Sequence, residues 1–250
     1  MSPRRENVRR TKPKPGARLR PYRALIGIGV VALAAGIAFV VTWPGFSPKK
    51  VTVSGNRVVA ASEVVARAGI AWHVNLWLQD PVAIAKRVET IPYVANANAT
   101  RLPPSTIAIR VSERVPFAVA VFGPDRVFVD RDLRVLGGAT PQPDLPTFVL
   151  PQKTAPPAGT FLTNEDATRM RDDYAALTAA HVYARQLSYD RFGGLVATLQ
   201  QGVAVYFGED TELEKKFALV DPILSQAQRD GRRLATVDLR APNTPVVTYK

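Results

Sequence analysis

The 250-residue chain contains no cysteine, which excludes a disulfide scaffold, a thiolate metal site and a cysteine nucleophile. Histidine is almost as scarce: with only His73 and His181 present, a histidine metal site or a Ser-His-Asp triad has little to draw on. Sequence periodicity places His181 at the carboxyl end of a helix, on its apolar stripe, in a core or helix-dipole role. His73 falls in a loop between Trp72 and Trp77 that reads as packing or a partner surface. Ser47-Pro48-Lys49-Lys50 spells S-x-x-K, but it precedes a strand and neither S-D-N nor K-T-G accompanies it. Gly27-Ile28-Gly29 follows no strand and cannot form a phosphate loop. The pairs Asp130/Asp132 and Asp172/Asp173 would serve glycoside chemistry only if folding set two carboxylates roughly 5 to 9 Å apart across a cleft. They read as solvated strand ends and helix faces. The expectation is a protein without catalytic residues, metal or cofactor.

Charge is plentiful but unevenly placed. Of a formal +12, residues 1–23 carry +8, from nine basic side chains and the single acid Glu6. The remainder is of ordinary globular composition, so the high pI argues for a basic tail and not for nucleic-acid binding. From Ala24 to Trp43 runs a twenty-residue stretch without charge, enough at about 1.5 Å per residue to cross a hydrocarbon core of about 30 Å. Its ten Leu, Ile, Val and Phe residues contribute about −3 to −6 kcal/mol toward insertion. Ala32-Leu33-Ala34 resembles a signal-peptidase site, but apolar residues continue beyond it, which indicates an uncleaved anchor. The excess of basic residues before the run places the amino terminus in the cytoplasm and residues 44–250 outside. A role of the tail in topology is expected ahead of binding to anionic lipid or acidic partners.

Beyond Pro44-Gly45 the pattern gives a strand at 50–54, a helix capped by Ser62 and stopped by Gly69, and a helix capped by Asp80 with Pro81 at its first position. Strands at 94–101 and 106–113 complete a βααββ module. Strands at 117–122 and 126–129 come next, then a proline-rich surface passage from Pro141 to Pro157. A helix opening at Thr163, a hairpin of 195–199 with 203–207, a helix over 211–229 kinked at Pro222, a strand at 235–240 and a last run at 246–249 close the chain. The class is α+β: one transmembrane helix, a βααββ module and a β-rich domain of antiparallel strands covered by helices. An exposed last strand can accept another chain's strand.

These residues resemble the FtsQ/DivIB family of bacterial cell-division proteins. Val53-Ser54-Gly55-Asn56, Ile91-Pro92-Tyr93-Val94, the run Ile109 to Pro116 and then Phe128-Val129-Asp130 are similar to the pattern of its POTRA region. Gln226 to Arg233 leading into Val237-Asp238-Leu239-Arg240 is similar to the last helix and strand of its β domain. The resemblance divides the chain into a cytoplasmic tail (1–23), a transmembrane helix (24–43), a POTRA domain (46–114) and a β domain (115–250). It implies a non-enzymatic scaffold in the inner membrane at the division septum. Its implied partners are FtsB/DivIC-like and FtsL-like single-span proteins, with other division proteins binding the POTRA. Strand addition beside the last strand is implied, with Arg240, Thr244, Val246, Val247, Thr248 and Tyr249 as the partner-binding residues. Where the family often has Tyr after that arginine, this chain has Ala241 and Pro242, which leaves Tyr249 as an alternative aromatic anchor. Rival roles are a POTRA protein assisting outer-membrane assembly or transport, and an envelope hydrolase; the first usually carries POTRA repeats and a barrel, and the second needs a cleft with a paired acid and base.

Overall fold

The computed structural model describes residues 20–140 and 142–250, so the basic tail up to residue 19 lies outside the described residues. Helix α1 runs from Arg20 to Thr42. Its segment Tyr22–Thr42 is the one described helix long and apolar enough to cross a membrane. Leu25, Ile28, Val31 and Leu33 are all exposed, as a helix that is apolar on every side requires when its surroundings are lipid.

The first sheet joins β1 (Lys50–Ser54), β2 (Val94–Leu102) and β3 (Thr106–Glu113) in the order β1-β3-β2, with β1 parallel and β2 antiparallel to the central β3. Between β1 and β2 lie α2 (Ala61–Ala68) and α3 (Pro81–Val88). Alternation on β3 turns Ile107, Ile109 and Val111 inward, where they meet Val64 and Ala68 of α2 and Ile84 and Val88 of α3. Asp80 caps α3, its carboxylate accepting from Val82 N–H at 2.9 Å, with Pro81 at the first position as expected. Ser62 does not cap α2: the helix begins at Ala61, and the Ala60 carbonyl accepts from Glu63 and Val64 N–H. Glu113, at the end of β3, accepts from the N–H groups of Arg57, Val58 and Val59 at 2.8–3.0 Å and ties the β1–α2 connection to the sheet. Burial raises the Glu113 pKa, but these three N–H bonds and the nearby Arg57 charge outweigh it and leave it below the ordinary value.

The second sheet has nine strands in the order β12-β11-β10-β9-β8-β7-β4-β5-β6. These are β4 (Ala118–Phe122), β5 (Asp125–Val129), β6 (Val135–Gly138), β7 (Thr147–Leu150), β8 (Ala184–Tyr189), β9 (Leu195–Leu199), β10 (Ala204–Gly208), β11 (Leu234–Asp238) and β12 (Val246–Tyr249). Helix α4 (Glu165–Ala179) connects β7 to β8, and α5 (Leu213–Arg229) connects β10 to β11. The α+β class holds, but the sheet is mixed, because β4–β7, β7–β8 and β10–β11 pair in parallel. For β7–β8 and β10–β11 a helix crossover brings the chain back to the end of the sheet it left, which a tight hairpin cannot do; β4 reaches β7 by way of β5 and β6. The core lies on the helix side, where Met170 and Leu177 of α4 and Phe217 and Val220 of α5 pack with Phe148, Leu187, Val205 and Phe207. On the opposite face Val119, Phe128 and Leu136 pack with Tyr93 of the first module.

Three local expectations are corrected. The passage from Pro141 to Pro157 contains β7, whose Phe148 and Leu150 are buried; Pro146 and Pro151 sit just outside it, where a missing N–H does no damage. His181 is exposed in a turn beyond α4 with φ +60°, so it takes no place on the apolar stripe. Asp130 is buried, its carboxylate bonded to Arg114 Nη1 at 2.6 Å and to Arg134 N–H at 2.8 Å; only Asp132 is solvated. Helix α5 continues through Pro222 to Arg229.

Candidate functional site: the β12 edge

β12 pairs with β11 in antiparallel register, with Asp238 opposite Val246, Val237 opposite Val247 and Thr236 opposite Thr248. Two bonds fix which groups point where. Lys250 N–H donates to the Arg233 carbonyl at 2.8 Å, and Leu239 N–H donates to the Tyr206 carbonyl of β10 at 2.8 Å. Because backbone groups alternate along a strand, Val246, Thr248 and Lys250 face β11. Val247 and Tyr249 therefore turn their N–H and C=O groups to the open side, and no described strand pairs there. The other edge of the same sheet is covered by its own chain at Val135, the start of β6. Val135 of β6 donates to Thr160 O at 2.8 Å and accepts from Gly159 N–H at 2.7 Å, and Leu162 N–H bonds Leu133 O at 2.9 Å.

Side chains alternate as well. Val247 packs on the helix-side core, and on the same face the Arg232 guanidinium lies 5.0 Å from the centre of the Tyr249 ring. Val246 and Thr248 face the uncovered side of the sheet, where an open groove of about 500 Å³ runs past Phe192, Tyr206, Thr236 and Arg240. Thr236 and Thr248 hydroxyls meet at 2.6 Å across the pair. Phe192 is 75% exposed at the tip of the β8–β9 turn, which Asp190 Oδ1 holds by accepting from Phe192 and Gly194 N–H at 2.8 and 2.9 Å.

Arg240, just past β11, is engaged within the chain. Its Nε donates to both Asp238 carboxylate oxygens at 3.0 Å, its Nη2 makes a further short bond to Asp238, and its N–H caps the same group at 3.0 Å. The side-chain bond to Arg240 leads in holding the Asp238 pKa below its ordinary value, against burial. The Arg240 stem lies across Gly208, where a Cβ would stand 2.8 Å from Arg240 Cγ at φ +71°, so only glycine leaves room for it. Thr244 is exposed and sits in the β11–β12 turn, its N–H bonded to Ala241 O at 3.0 Å. The structure thus brings Arg240, Val246 and Thr248 together at the groove, sets Val247 and Tyr249 on the other face of the strand, and leaves Thr244 apart. Phe192 and Asp238 also belong to the site; nothing in the sequence singles out Phe192, and Asp238 stands in the Val237–Arg240 motif without an expected role. Its place beside Arg240 was within reach, since residues two apart on a strand share a face.

Elsewhere Asp173 is buried beneath the Tyr189 hydroxyl, which donates to it at 2.8 Å; burial raises its pKa more than that bond lowers it. Among the described residues no three metal-binding side chains converge.

Residues 46–114 match the family model described as POTRA domain, FtsQ-type, and residues 120–240 match that described as Cell division protein FtsQ/DivIB, C-terminal. The Cell division protein FtsQ of Mycolicibacterium smegmatis is 30% identical over 242 residues, covering 95% of this chain and 68% of the relative. The chain belongs to the FtsQ/DivIB family. The Mycobacterium tuberculosis FtsQ is 27% identical over 94% of this chain and 72% of the relative, and that of Neisseria meningitidis serogroup B is 21% identical over 86% and 88%. The FtsQ/DivIB carboxyl-terminal match ends at Arg240, so β12 lies beyond it.

Proposed function

We propose that this FtsQ/DivIB-family protein is a non-enzymatic scaffold of cell division, anchored in the inner membrane by α1 as a single span. Residues 1–23 lie in the cytoplasm, 24–43 cross the membrane, and the POTRA (46–114) and β domain (115–250) are exported to the division septum. There it recruits and regulates septal wall synthesis by holding FtsB/DivIC-like and FtsL-like single-span partners, while the POTRA engages other division proteins. The partner adds a strand antiparallel to β12, bonding to Val247 and Tyr249, and sets an apolar side chain in the groove beside Phe192 and Val246. Arg240 meets a partner carboxylate. The observation that carries this reading is the contrast between edges: β6 is bonded at Val135 by residues 159 and 160, and the outer edge of β12 has no strand beside it among the described residues. The exposed cations Arg232, Arg233 and Lys250 around that edge favour an acidic partner segment.

The test compares fluorescent fusions of the full chain and of a chain ending at Pro245 in growing cells of the host. The reading expects the full chain at the constriction with its FtsB-like partner recovered on pull-down, and loss of the partner from the shortened chain. An even distribution of the full chain around the envelope would refute the division role, and undiminished partner recovery would refute strand addition.

A further inference from the structure

All three tryptophans of the chain, Trp43, Trp72 and Trp77, fall where α1 meets the first module. Trp43 comes directly after the last turn of α1, and Trp72 and Trp77 lie in the α2–α3 connection. No charged residue occurs between Arg67 and Asp80. This connection is fastened to the end of the span. Asn75, only 7% exposed, donates through Nδ2 to the carbonyls of Val40 at 2.8 Å and Val41 at 2.9 Å, and its Oδ1 accepts from Trp77 N–H at 2.9 Å. Val40 and Val41 are among the last four residues of α1, whose carbonyls have no partner within the helix and are costly to leave bare near lipid. Phe39, Trp43, Phe46 and Trp77 then form a continuous aromatic run, with successive ring centres 5.5, 5.3 and 6.3 Å apart. At its outer end Trp77 remains 44% exposed and Leu78 60% exposed.

We infer that this rim of the POTRA, Trp77 and Leu78 together with Trp43, is a second membrane contact that dips into the boundary between headgroups and acyl chains. The inference rests on α1 spanning the bilayer and is independent of what β12 binds. The apolar run of twenty residues ends at Trp43, and at about 1.5 Å per residue it fills a hydrocarbon core of about 30 Å, which sets Trp43 at the interface. Val40 and Val41 lie about 3 to 5 Å deeper along the axis. A loop bonded to their carbonyls cannot stand clear of the membrane. Amphipathic rings are the side chains that favour that depth. The occupant is the lipid of the bilayer that α1 crosses, since the patch continues the surface of the span without a break. Docking would fix the tilt of the POTRA on the membrane.

The test uses the full chain in phosphatidylcholine–phosphatidylglycerol nanodiscs with acyl chains brominated near the headgroup or deep in the core. The probe variant keeps only Trp77, through Trp43→Phe and Trp72→Phe. A second variant keeps only Trp43, and a third, with all three replaced by Phe, carries Val31→Trp as its one indole. Deep bromines must quench the third, which establishes insertion. The expected result is then a blue-shifted Trp77 emission with a shallow-bromine loss comparable to that of Trp43. Quenching of Trp43 and of the indole at position 31 beside an unquenched, red-emitting Trp77 would overturn the inference and leave the patch to a protein partner.

Discussion

The phase of the β12 ladder makes strand capture testable at one atom. Val247 turns its N–H to the open edge, while its half-buried side chain packs beside Val237 on the core. Val247→Pro removes that donor, keeps an apolar side chain of similar size, and places proline where an edge strand tolerates it, with the lost N–H on the solvent side. The intact protein forfeits no hydrogen bond, and its stability should change by about 1 kcal/mol or less through altered packing. The complex forfeits more. One intermolecular bond is worth about 0.5 to 1.5 kcal/mol, and the partner carbonyl left facing the ring, once desolvated, costs about 1 to 3 kcal/mol. The sum, about 1.5 to 4.5 kcal/mol, weakens binding by about 10- to 2000-fold. Val247→Ala trims the side chain and keeps the N–H, so it should bind within a few-fold of the parent. Thr248→Pro, whose N–H faces β11, should instead damage the fold. Calorimetric titration with the exported segment of the host's FtsB-like protein reads these differences, with thermal unfolding as the control on folding. Equal affinities for Val247→Pro and Val247→Ala would refute backbone pairing at this edge.

Three further outcomes rest on named contacts. Arg240→Glu sets a second carboxylate beside Asp238 and should weaken partner binding by about tenfold, whereas Asp238→Asn frees Arg240 and should leave binding equal or tighter; equal losses in both titrations would mean that the pair only supports the fold. Gly55 holds φ +85° with a would-be Cβ 2.1 Å from the Val111 carbonyl of the central strand β3, so Gly55→Ala must displace a strand bonded on both sides and should destabilise the POTRA by about 2 to 4 kcal/mol, read as faster amide exchange at Val64 and Ile109 with β10 unchanged. Glu113→Gln should cost the POTRA about 1 to 2 kcal/mol at neutral pH after allowance for solvent screening. Because the folded-state pKa of Glu113 is depressed, its contribution is complete above the unfolded value of about 4.3 and is lost as pH falls through the folded value, so the two proteins should converge in exchange protection in acid, and a gap that widens there would contradict the assignment.

How much of the fold the sequence discloses depends on the regularity of each element. Ile107, Ile109 and Val111 keep a period of two, and Asp80-Pro81 spells a helix start, so β3 and α3 could be read directly. β8 could not, because its register shifts between Ala184 and Gln186 and sets Arg185 and Gln186 both outward, which breaks the period that marks a strand. β7 hid among prolines that bound it without entering it. Parallel pairings leave no local signature, since alternation is the same in either direction. At the candidate site, β12 and Arg240 were legible as an alternating terminal run and an arginine behind a strand. Phe192 was not, because it reaches the groove from a turn nearly fifty residues earlier in the chain. The Glu113 latch spans a similar separation and rests on backbone N–H groups, which every sequence has.

The order of the strands also separates the candidate edge from the junction with the first module. The first module meets the large sheet near β4 and β5, through Tyr93 against Val119 and Phe128 and through the Arg114–Asp130 pair. β12 lies seven strand positions beyond β5 in the sheet, which at about 4.8 Å per position is roughly 34 Å. A strand added at β12 would run along that edge, in line with the sheet's strands. A partner strand proposed at β12 would therefore sit on a different part of the large sheet from the junction with the POTRA. A strand added at β6 would instead lie beside the module junction, and there Val135 already bonds Gly159 and Thr160 of its own chain.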